Sequence, residues 1–279
     1  MTALNEVGLI ASREIRKNLR SLKGLTMVVL SLLGAIAVAS IIAKGQKMDE
    51  VNIGLERLHE MQEAVLTKKY DDPAMGQYLG GAPFVLISLL FISIWLSPLL
   101  VTILGFDAVA ADLQHRTVRY WTVRSRRASY FVGKVLGLWG VVAAITLVMH
   151  VLIWCATLII GGAGTAAPGA TFSWGFHFYL VTLPIAAAWC GLATLISSQF
   201  RTPILALFVV GAVFAALWVI DVIAVFREVK WATYFYPNSY DALLLSPKGD
   251  QVALGALACF GIAALTTAAG TFFFTRRDV

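Results

Sequence analysis

The sequence predicts an all-α protein with six membrane-spanning helices. Of its 279 residues, 59% are hydrophobic and only 14% are charged, and the mean hydropathy is +0.79. Soluble domains average about 25% charged residues, so a water-soluble fold of this length could not bury so much apolar surface. Six stretches are apolar over the roughly 20 residues that a helix needs to cross a bilayer core. We expect helices there because a helix satisfies its own backbone groups inside lipid.

A basic amphipathic helix is predicted before the first span, at residues 1–23. Apolar residues recur there at nearly helical spacing, whereas most of the basic residues fall on the opposite side. Such a helix can lie in the membrane interface with its basic side toward lipid headgroups. The alternative is a plain basic flank that only sets topology, and the apolar stripe favours the interfacial helix.

The spans follow one another in a single membrane domain that covers residues 1–279. They are predicted at 24–43, 83–106, 131–160, 176–198, 203–226 and 252–274. The third is long enough to tilt in the bilayer or to protrude from it.

Four connections between the spans differ in character. Residues 44–82 form an insert with a loose helical stripe of apolar side chains, and residues 107–130 are densely basic. The Gly/Ala-rich stretch 163–175 is predicted as a flexible connector. The segment 227–251 is rich in aromatic residues that suit the outer headgroup belt, and the sequence leaves open whether part of it re-enters the membrane.

The distribution of positive charge predicts the orientation. The N-terminal segment, the 107–130 connection and the C-terminal end carry the larger share of the 22 Lys and Arg residues. Basic residues next to spans mark the cytoplasmic side, which accounts for the sequence pI of about 9.3 without a nucleic-acid partner. Both termini and the 107–130 connection are therefore expected in the cytoplasm.

Several kinds of chemistry find no support in the sequence. The phosphate-binding pattern GxxxxGK[ST] does not occur, so we expect no nucleotide site, no catalytic residue and no cofactor on this chain. The cysteines Cys155, Cys190 and Cys259 lie singly in apolar runs, which argues against disulfides and against zinc. The four histidines are scattered without metal-ligand spacing.

Two polar residues lie within predicted spans. Asp221 lies toward the outer end of span five, and His150 lies in the outer half of span three. An acid in lipid is costly and often functional, so Asp221 is a candidate intramembrane site. It is also close enough to Arg227 to reach the outer interface instead. His150 is interpreted mainly as a hydrogen-bonded packing residue.

The basic connection carries an ordered motif. It reads Asp107-x4-Asp112-x3-Arg116-Thr117-x-Arg119, then Ser125-Arg126-Arg127 and Gly133-Lys134-x-x-Gly137. This pattern resembles the cytoplasmic segment of ABC-2 type transporter permeases, which often have Gly at the position of Arg116. The tail Phe272–Asp278 is similar to the family's F-x-x-R-D ending, and the N-terminal helix is similar to its elbow helix. The resemblance therefore covers nearly the whole chain.

The resemblance implies the permease subunit of an ATP-binding cassette exporter in the cytoplasmic (inner) membrane of a prokaryote. A separate ATPase subunit would bind ATP and Mg²⁺, and a second copy or a related permease would complete a dimer. In the family, the 107–130 connection forms a coupling helix that docks in a groove of the ATPase. The docking residues are then expected to be Asp107, Asp112, His115, Arg116, Thr117, Arg119, Tyr120 and Trp121.

Basic residues near the start of the third span are expected at lipid headgroups or at the membrane surface. They are Arg124, Arg126, Arg127 and Lys134. Topology control alone is the alternative for all the arginines of this region. Gly133 and Gly137 would let the third span approach a neighbour closely. An ATP-independent carrier or channel is the alternative function, a membrane scaffold is a further one, and lipid, peptide, antibiotic and glycan cargoes all fit this outline.

Overall fold

The computed structural model describes residues 2–53, 55–160 and 168–276, which form helices and turns without a β-strand. The predicted all-α class is confirmed for these residues. In chain order the helices are α1 (Ala3–Arg20), α2 (Leu22–Ile53), α3 (Leu55–Tyr70), α4 (Pro73–Gly80), α5 (Phe84–Gly105), α6 (Ala110–Gln114), α7 (Val118–Arg124), α8 (Arg127–Ile160), α9 (Pro168–Ser197), α10 (Pro203–Phe226), α11 (Lys230–Thr233), α12 (Asp241–Leu244) and α13 (Gly249–Arg276).

Within the described ranges, 5 helices are long and apolar enough to cross a membrane, and they are α5, α8, α9, α10 and α13. They correspond to the predicted spans two to six. The predicted first span lies in α2, which continues beyond residue 43 to Ile53 because Lys, Gln, Met and Glu are good helix formers. The apolar stretch found in its described part is Leu22–Gly34, shorter than a full span. A sixth crossing therefore stays a prediction.

Helix α9 lies at the centre of the bundle, where it packs against α5, α8 and α13. Small residues along it, among them Ala188, Gly191 and Ala193, are fully or almost fully buried and let the neighbouring helices approach. By contrast, α10 and α13 bury only a few side chains each. Their exposed apolar faces are suited to lipid or to another membrane subunit.

The start of α9 differs from the prediction. Residues 163–175 are expected to form a loop, yet the helix begins at Pro168, and residues 161–167 lie outside the described part of the chain. Proline is favoured in the first turn of a helix because its missing N–H would have no helical partner there. The Gly/Ala-rich composition therefore does not reveal that a helix begins at Pro168.

The segment 227–251 turns back into the bundle. It contains α11, a 3₁₀ turn at Pro237–Tyr240 and α12. The Asn238 side chain is 9% exposed, and its Nδ2 donates to the carbonyl of Ile94, halfway along α5, at 3.0 Å. Its Oδ1 accepts a hydrogen bond from the indole of Trp189 at 2.8 Å. The segment therefore folds back between the helices as far as the middle of α5, and we call it the re-entrant segment.

Asn238 supplies a hydrogen bond that Pro98 removes from the backbone of α5. Pro98 lies inside this helix and lacks the N–H that would bond to the carbonyl of Ile94, four residues earlier. The amide of Asn238 supplies the missing donor, and the Ser97 hydroxyl also donates to the same carbonyl at 3.0 Å. Prolines are tolerated in membrane helices when neighbouring groups satisfy the released carbonyl in this way. The re-entrant segment is thus bonded to the middle of α5.

Candidate functional site

The connector between α5 and α8, residues 106–126, consists of α6 and α7 joined by a sharp bend. Arg116 makes this bend with a φ of 56°, in the left-handed region that favours glycine. The Gly that the resemblance to ABC-2 permeases leads us to expect at this position would adopt the same conformation without strain. The bend sets α7 at a new angle to α6 and leaves the Arg116 side chain exposed.

A buried group of charges joins the connector to α1 and α8. The ammonium of Lys134 lies 2.6 Å from Asp112 Oδ2 and 2.8 Å from Glu14 Oε1. Its side chain is 1% exposed, and those of Glu14 and Asp112 are 9% and 13% exposed. Removing the ammonium from such a buried group leaves the two carboxylates without their counter-charge, which costs about 3–5 kcal/mol. We call these three residues the ion triad.

Neutral partners complete the coordination of Asp112. The Tyr130 hydroxyl donates to Asp112 Oδ2 at 2.6 Å, and the Thr117 hydroxyl donates to Oδ1 at 3.0 Å. Thr117 lies just after the bend, so this bond fixes the position of α7 relative to α6. Phe274 of α13 stacks on Tyr130 with 5.4 Å between the ring centroids. The last span is therefore held against the same cluster.

Ser197, at the end of α9, holds the start of the connector. Its hydroxyl accepts from the N–H groups of Val109 at 3.2 Å and Ala110 at 3.1 Å, and it donates to the carbonyl of Phe106 at 2.7 Å. The first N–H groups of a helix have no partner within the helix, so the hydroxyl satisfies donors that α6 leaves unpaired. The Ser197 side chain is fully buried.

Two further contacts hold the connector at its edges. The ammonium of Lys23, in α2, lies 2.6 Å from Asp107 Oδ1 and donates to the carbonyl of Leu104 at 3.1 Å. The guanidinium of Arg13, in α1, lies 4.2 Å from the ring centroid of Trp121. These contacts are partly exposed, and such pairs contribute less than buried ones.

Helix α1 packs along a row of glycines on α8. A Cβ added at Gly133 would lie 2.7 Å from the Ile10 Cβ, and one added at Gly137 would lie 2.6 Å from the Glu14 Cβ. Both distances are below ordinary contact, so these positions require glycine. The close neighbour that this Gly-x-x-x-Gly pattern predicts is therefore the N-terminal amphipathic helix. The approach also places Glu14 next to Lys134.

The structure divides the predicted docking residues into two groups. Asp107, Asp112 and Thr117 contact other parts of the same chain, and Trp121 is half-buried beside α1. The others are exposed. We call the exposed connector face the surface made by His115, Arg116, Arg119, Tyr120 and Val123, of which Tyr120 and Val123 are 77% and 85% exposed.

The basic residues expected at headgroups also divide. Lys134 is buried in the ion triad, so the structure gives it no access to a headgroup. Arg127 donates to the carbonyl of Thr275 at 2.9 Å. Arg126 is exposed, and its backbone N–H donates to Glu6 at 3.2 Å, which lowers the pKa of that carboxyl. The side chain of Arg124 lies outside the described part of the chain.

The two polar residues within spans are both far from the connector. His150 is fully buried, with its Nδ1 2.9 Å from the carbonyl of Thr146 and its ring against Trp154 and Tyr179. Asp221 accepts a hydrogen bond from the Ser239 hydroxyl at 2.7 Å. Among the described residues, no group of three or more His, Cys, Asp or Glu is arranged to hold a metal ion.

Sequence reasoning missed several residues that build this site. Glu14 is 120 residues away from its partner Lys134 in α8, and Lys23 and Ser197 are each more than 80 residues away from their partners in the connector. Glu14 carries a weak signal, since it is an acid in the middle of a basic helix. Ser197 carries none, because one serine at the end of an apolar helix is an ordinary residue.

Comparison with known proteins agrees with this architecture. No curated protein matches the chain. A family model described as ABC-2 family transporter protein matches residues 9–279, which include the ion triad, the connector and every candidate span. The chain therefore belongs to the ABC-2 transporter family, as a membrane component of ABC-type transport.

Proposed function

We propose that this chain is the permease subunit of an ABC exporter and that a separate ATPase subunit docks on the exposed connector face. The observation that carries the proposal is the contrast within the connector. Its inner side is bonded to α1, α2, α8 and α9, whereas its outer side presents basic and aromatic side chains to solvent. A docking element needs both properties, because force applied to a loose loop would not reach the spans.

The exposed connector face has the chemistry of a protein-binding surface. Arg and Tyr are enriched among the residues that dominate binding energy, and Arg116, Arg119 and Tyr120 lie together on this face. Their positive charge suits an acidic groove. The partner would bind ATP and Mg²⁺, since this chain lacks the phosphate-binding motif.

The inner contacts define how work would pass into the membrane. Displacement of the connector acts on α8 and α1 through the ion triad and on α9 through Ser197. Buried groups of this kind resist separation, so the helices would move with the connector as rigid bodies. This is the expected motion when ATP binding draws two ATPase subunits together.

A complete exporter would contain two permeases, either two copies of this chain or this chain with a related one. The weakly buried helices α10 and α13 offer apolar surface for such pairing. The assembly would lie in the inner membrane of a prokaryote, with the connector in the cytoplasm as the charge distribution predicts.

Purification of the tagged chain from its native membranes tests the proposal. We expect a Mg²⁺-dependent ATPase to co-purify with the unaltered chain. Combined replacement of Arg119 and Tyr120 by Ala should reduce its recovery by about tenfold, the effect expected when main binding residues are lost. Tyr234→Ala is the matched control, because Tyr234 is an aromatic residue with 59% exposure at the other end of the bundle.

Two outcomes would overturn the proposal. One is full recovery of the ATPase with the Arg119/Tyr120 variant, which would place docking elsewhere. The other is cargo flux driven by an ion gradient through the purified chain alone, which would favour an ATP-independent carrier or channel.

A further inference from the structure

A cavity of about 750 Å³ lies at the end of the bundle opposite the connector. We call it the outer cavity. Its walls come from the end of α3, the first half of α5, the second half of α10 and the re-entrant segment. Aromatic rings and charged side chains share its lining, notably Phe91, Trp95, Trp218, Lys69, Asp221 and Asp241.

The outer cavity already holds one ammonium group, that of Lys69. Its Nζ lies 3.5 Å from the centroid of the Phe91 ring, 4.6 Å from that of the Tyr70 ring and 3.2 Å from Asp241 Oδ2. The Tyr70 hydroxyl also donates to Asp241 Oδ2 at 3.2 Å. Aromatic faces combined with a carboxylate form the environment that proteins use to recognise cationic ammonium ligands. We call this place the ammonium seat.

The charges of the lining favour cations over anions. Asp221 and Asp241 face one basic residue, Lys69. Only Asp241 contacts that ammonium, and Asp221 forms no ion pair with the described residues. The partner of Asp221 is the neutral hydroxyl of Ser239. Among the described residues, the cavity lining therefore carries one more negative charge than positive, which would repel an anionic ligand and attract a cationic one.

Lys69 occupies the seat without being locked into it. Burial lowers the pKa of its ammonium, and the charge on Asp241 acts in the opposite direction. The side chain is 41% exposed and lies in the last turn of α3, so we expect that a change of rotamer can move the ammonium into solvent. A second ammonium can then take its place, at the cost of the contacts that Lys69 makes in the seat.

We propose that the outer cavity is a binding site for an organic cation, whose ammonium group displaces Lys69 from the ammonium seat. The apolar part of the ligand then lies against Trp95 and Trp218, and Asp221 supplies the second negative charge. Lys69 acts as a built-in occupant that keeps the seat filled in the absence of ligand. That the ligand is also cargo rests on the proposed exporter function.

Binding of radiolabelled benzyltrimethylammonium to the purified chain in lipid nanodiscs tests this inference. Equilibrium dialysis is suitable because the probe combines a quaternary ammonium with one aromatic ring and dissolves in water. Lys69→Met removes the competing ammonium and should tighten binding by about tenfold, the value of one partly desolvated cation–π contact. Lys68→Met is the matched control. It should leave binding unchanged, because Lys68 is an exposed neighbour of Lys69 that is not part of the cavity lining.

A second set of variants separates charge recognition from fold. In the Lys69→Met background, Asp221→Asn and Asp241→Asn should each weaken binding by about tenfold, while thermal unfolding shows that the chain is still folded. Benzenesulfonate, an anion of similar size, should not compete. Unchanged affinity in Lys69→Met, unchanged affinity in both Asn variants, or competition by benzenesulfonate would overturn the inference. No ATPase takes part, so failure here is distinct from failure of the docking proposal.

Discussion

Two charged clusters at opposite ends of the bundle contain the same groups in different arrangements. Each has one lysine ammonium and two carboxylates: Lys134 with Glu14 and Asp112 at the connector, and Lys69 with Asp241 and Asp221 at the outer cavity. At the connector both carboxylates contact the ammonium, which is almost completely buried. At the cavity only one does, and the lysine side chain is 41% exposed.

This difference teaches that charge count alone does not assign a role. A closed and fully bonded group holds helices together and suits the transmission of force. An open group with one carboxylate left over suits the binding of a ligand. The account therefore predicts that equivalent substitutions at the two ends have unequal consequences.

The largest effect is expected from removal of the two lysines. Lys134→Met leaves Glu14 and Asp112 buried without their counter-charge, so the free energy of unfolding should fall by about 3–5 kcal/mol. Lys69→Met breaks a partly exposed pair and should cost about 1 kcal/mol or less. Thermal unfolding of both variants in the same detergent measures the comparison.

An uncharged version of the ion triad tests whether unpaired charge causes the loss of stability in Lys134→Met. Combining Lys134→Met with Glu14→Gln and Asp112→Asn removes every charge, so it should recover much of the lost stability. Equal destabilisation by the two single lysine variants, or no recovery in the triple variant, would contradict the contrast between the two ends.

An intermediate effect is expected where the re-entrant segment meets α5. Asn238→Ala should cost about 1–3 kcal/mol, because it leaves the Ile94 carbonyl and the Trp189 indole without their partner. In a Pro98→Ala background the new N–H of residue 98 can bond to Ile94, so the same substitution should cost less. A double-mutant cycle on unfolding free energies checks this, and strict additivity would show that Asn238 does not replace the bond lost at Pro98.

The smallest effect is expected from substitutions of Arg116 on the exposed connector face. Arg116→Gly relieves the left-handed conformation and should stabilise the chain by about 0.5–1 kcal/mol, whereas Arg116→Ala keeps the strain. Both variants remove the same positive charge and should therefore weaken ATPase recovery equally. Unfolding midpoints and recovered ATPase activity measure the two effects separately, and a stabilised Ala variant would disprove the strain argument.

Hydropathy and charge predict those features of the fold that are determined by local sequence. The five apolar helices are visible because each carries its own signal over about 20 residues. The connector is visible because its basic residues interrupt two apolar runs. The early start of α9 at Pro168 was hidden, since a Gly/Ala-rich composition is shared by loops and membrane helices.

The division of the connector into an inner and an outer side depends on tertiary contacts. Lys134 fits a headgroup role by the same rule as Arg126, and only the packing of α1 on the glycines of α8 buries it. Its partner Glu14 is 120 residues away in the chain. The role of Asn238 likewise depends on a short polar segment that contacts α5 next to Pro98, and no sequence periodicity predicts that contact.

Photocrosslinking from the connector in native membranes tests the central claim most directly. A photoreactive amino acid would replace Tyr120 on the exposed connector face, and Tyr234, another exposed aromatic residue, would serve as the control position. The account predicts a covalent adduct with a nucleotide-binding subunit from position 120 and none from position 234. Absence of that adduct at position 120, or its formation only at position 234, would contradict the claim that the connector receives the ATPase.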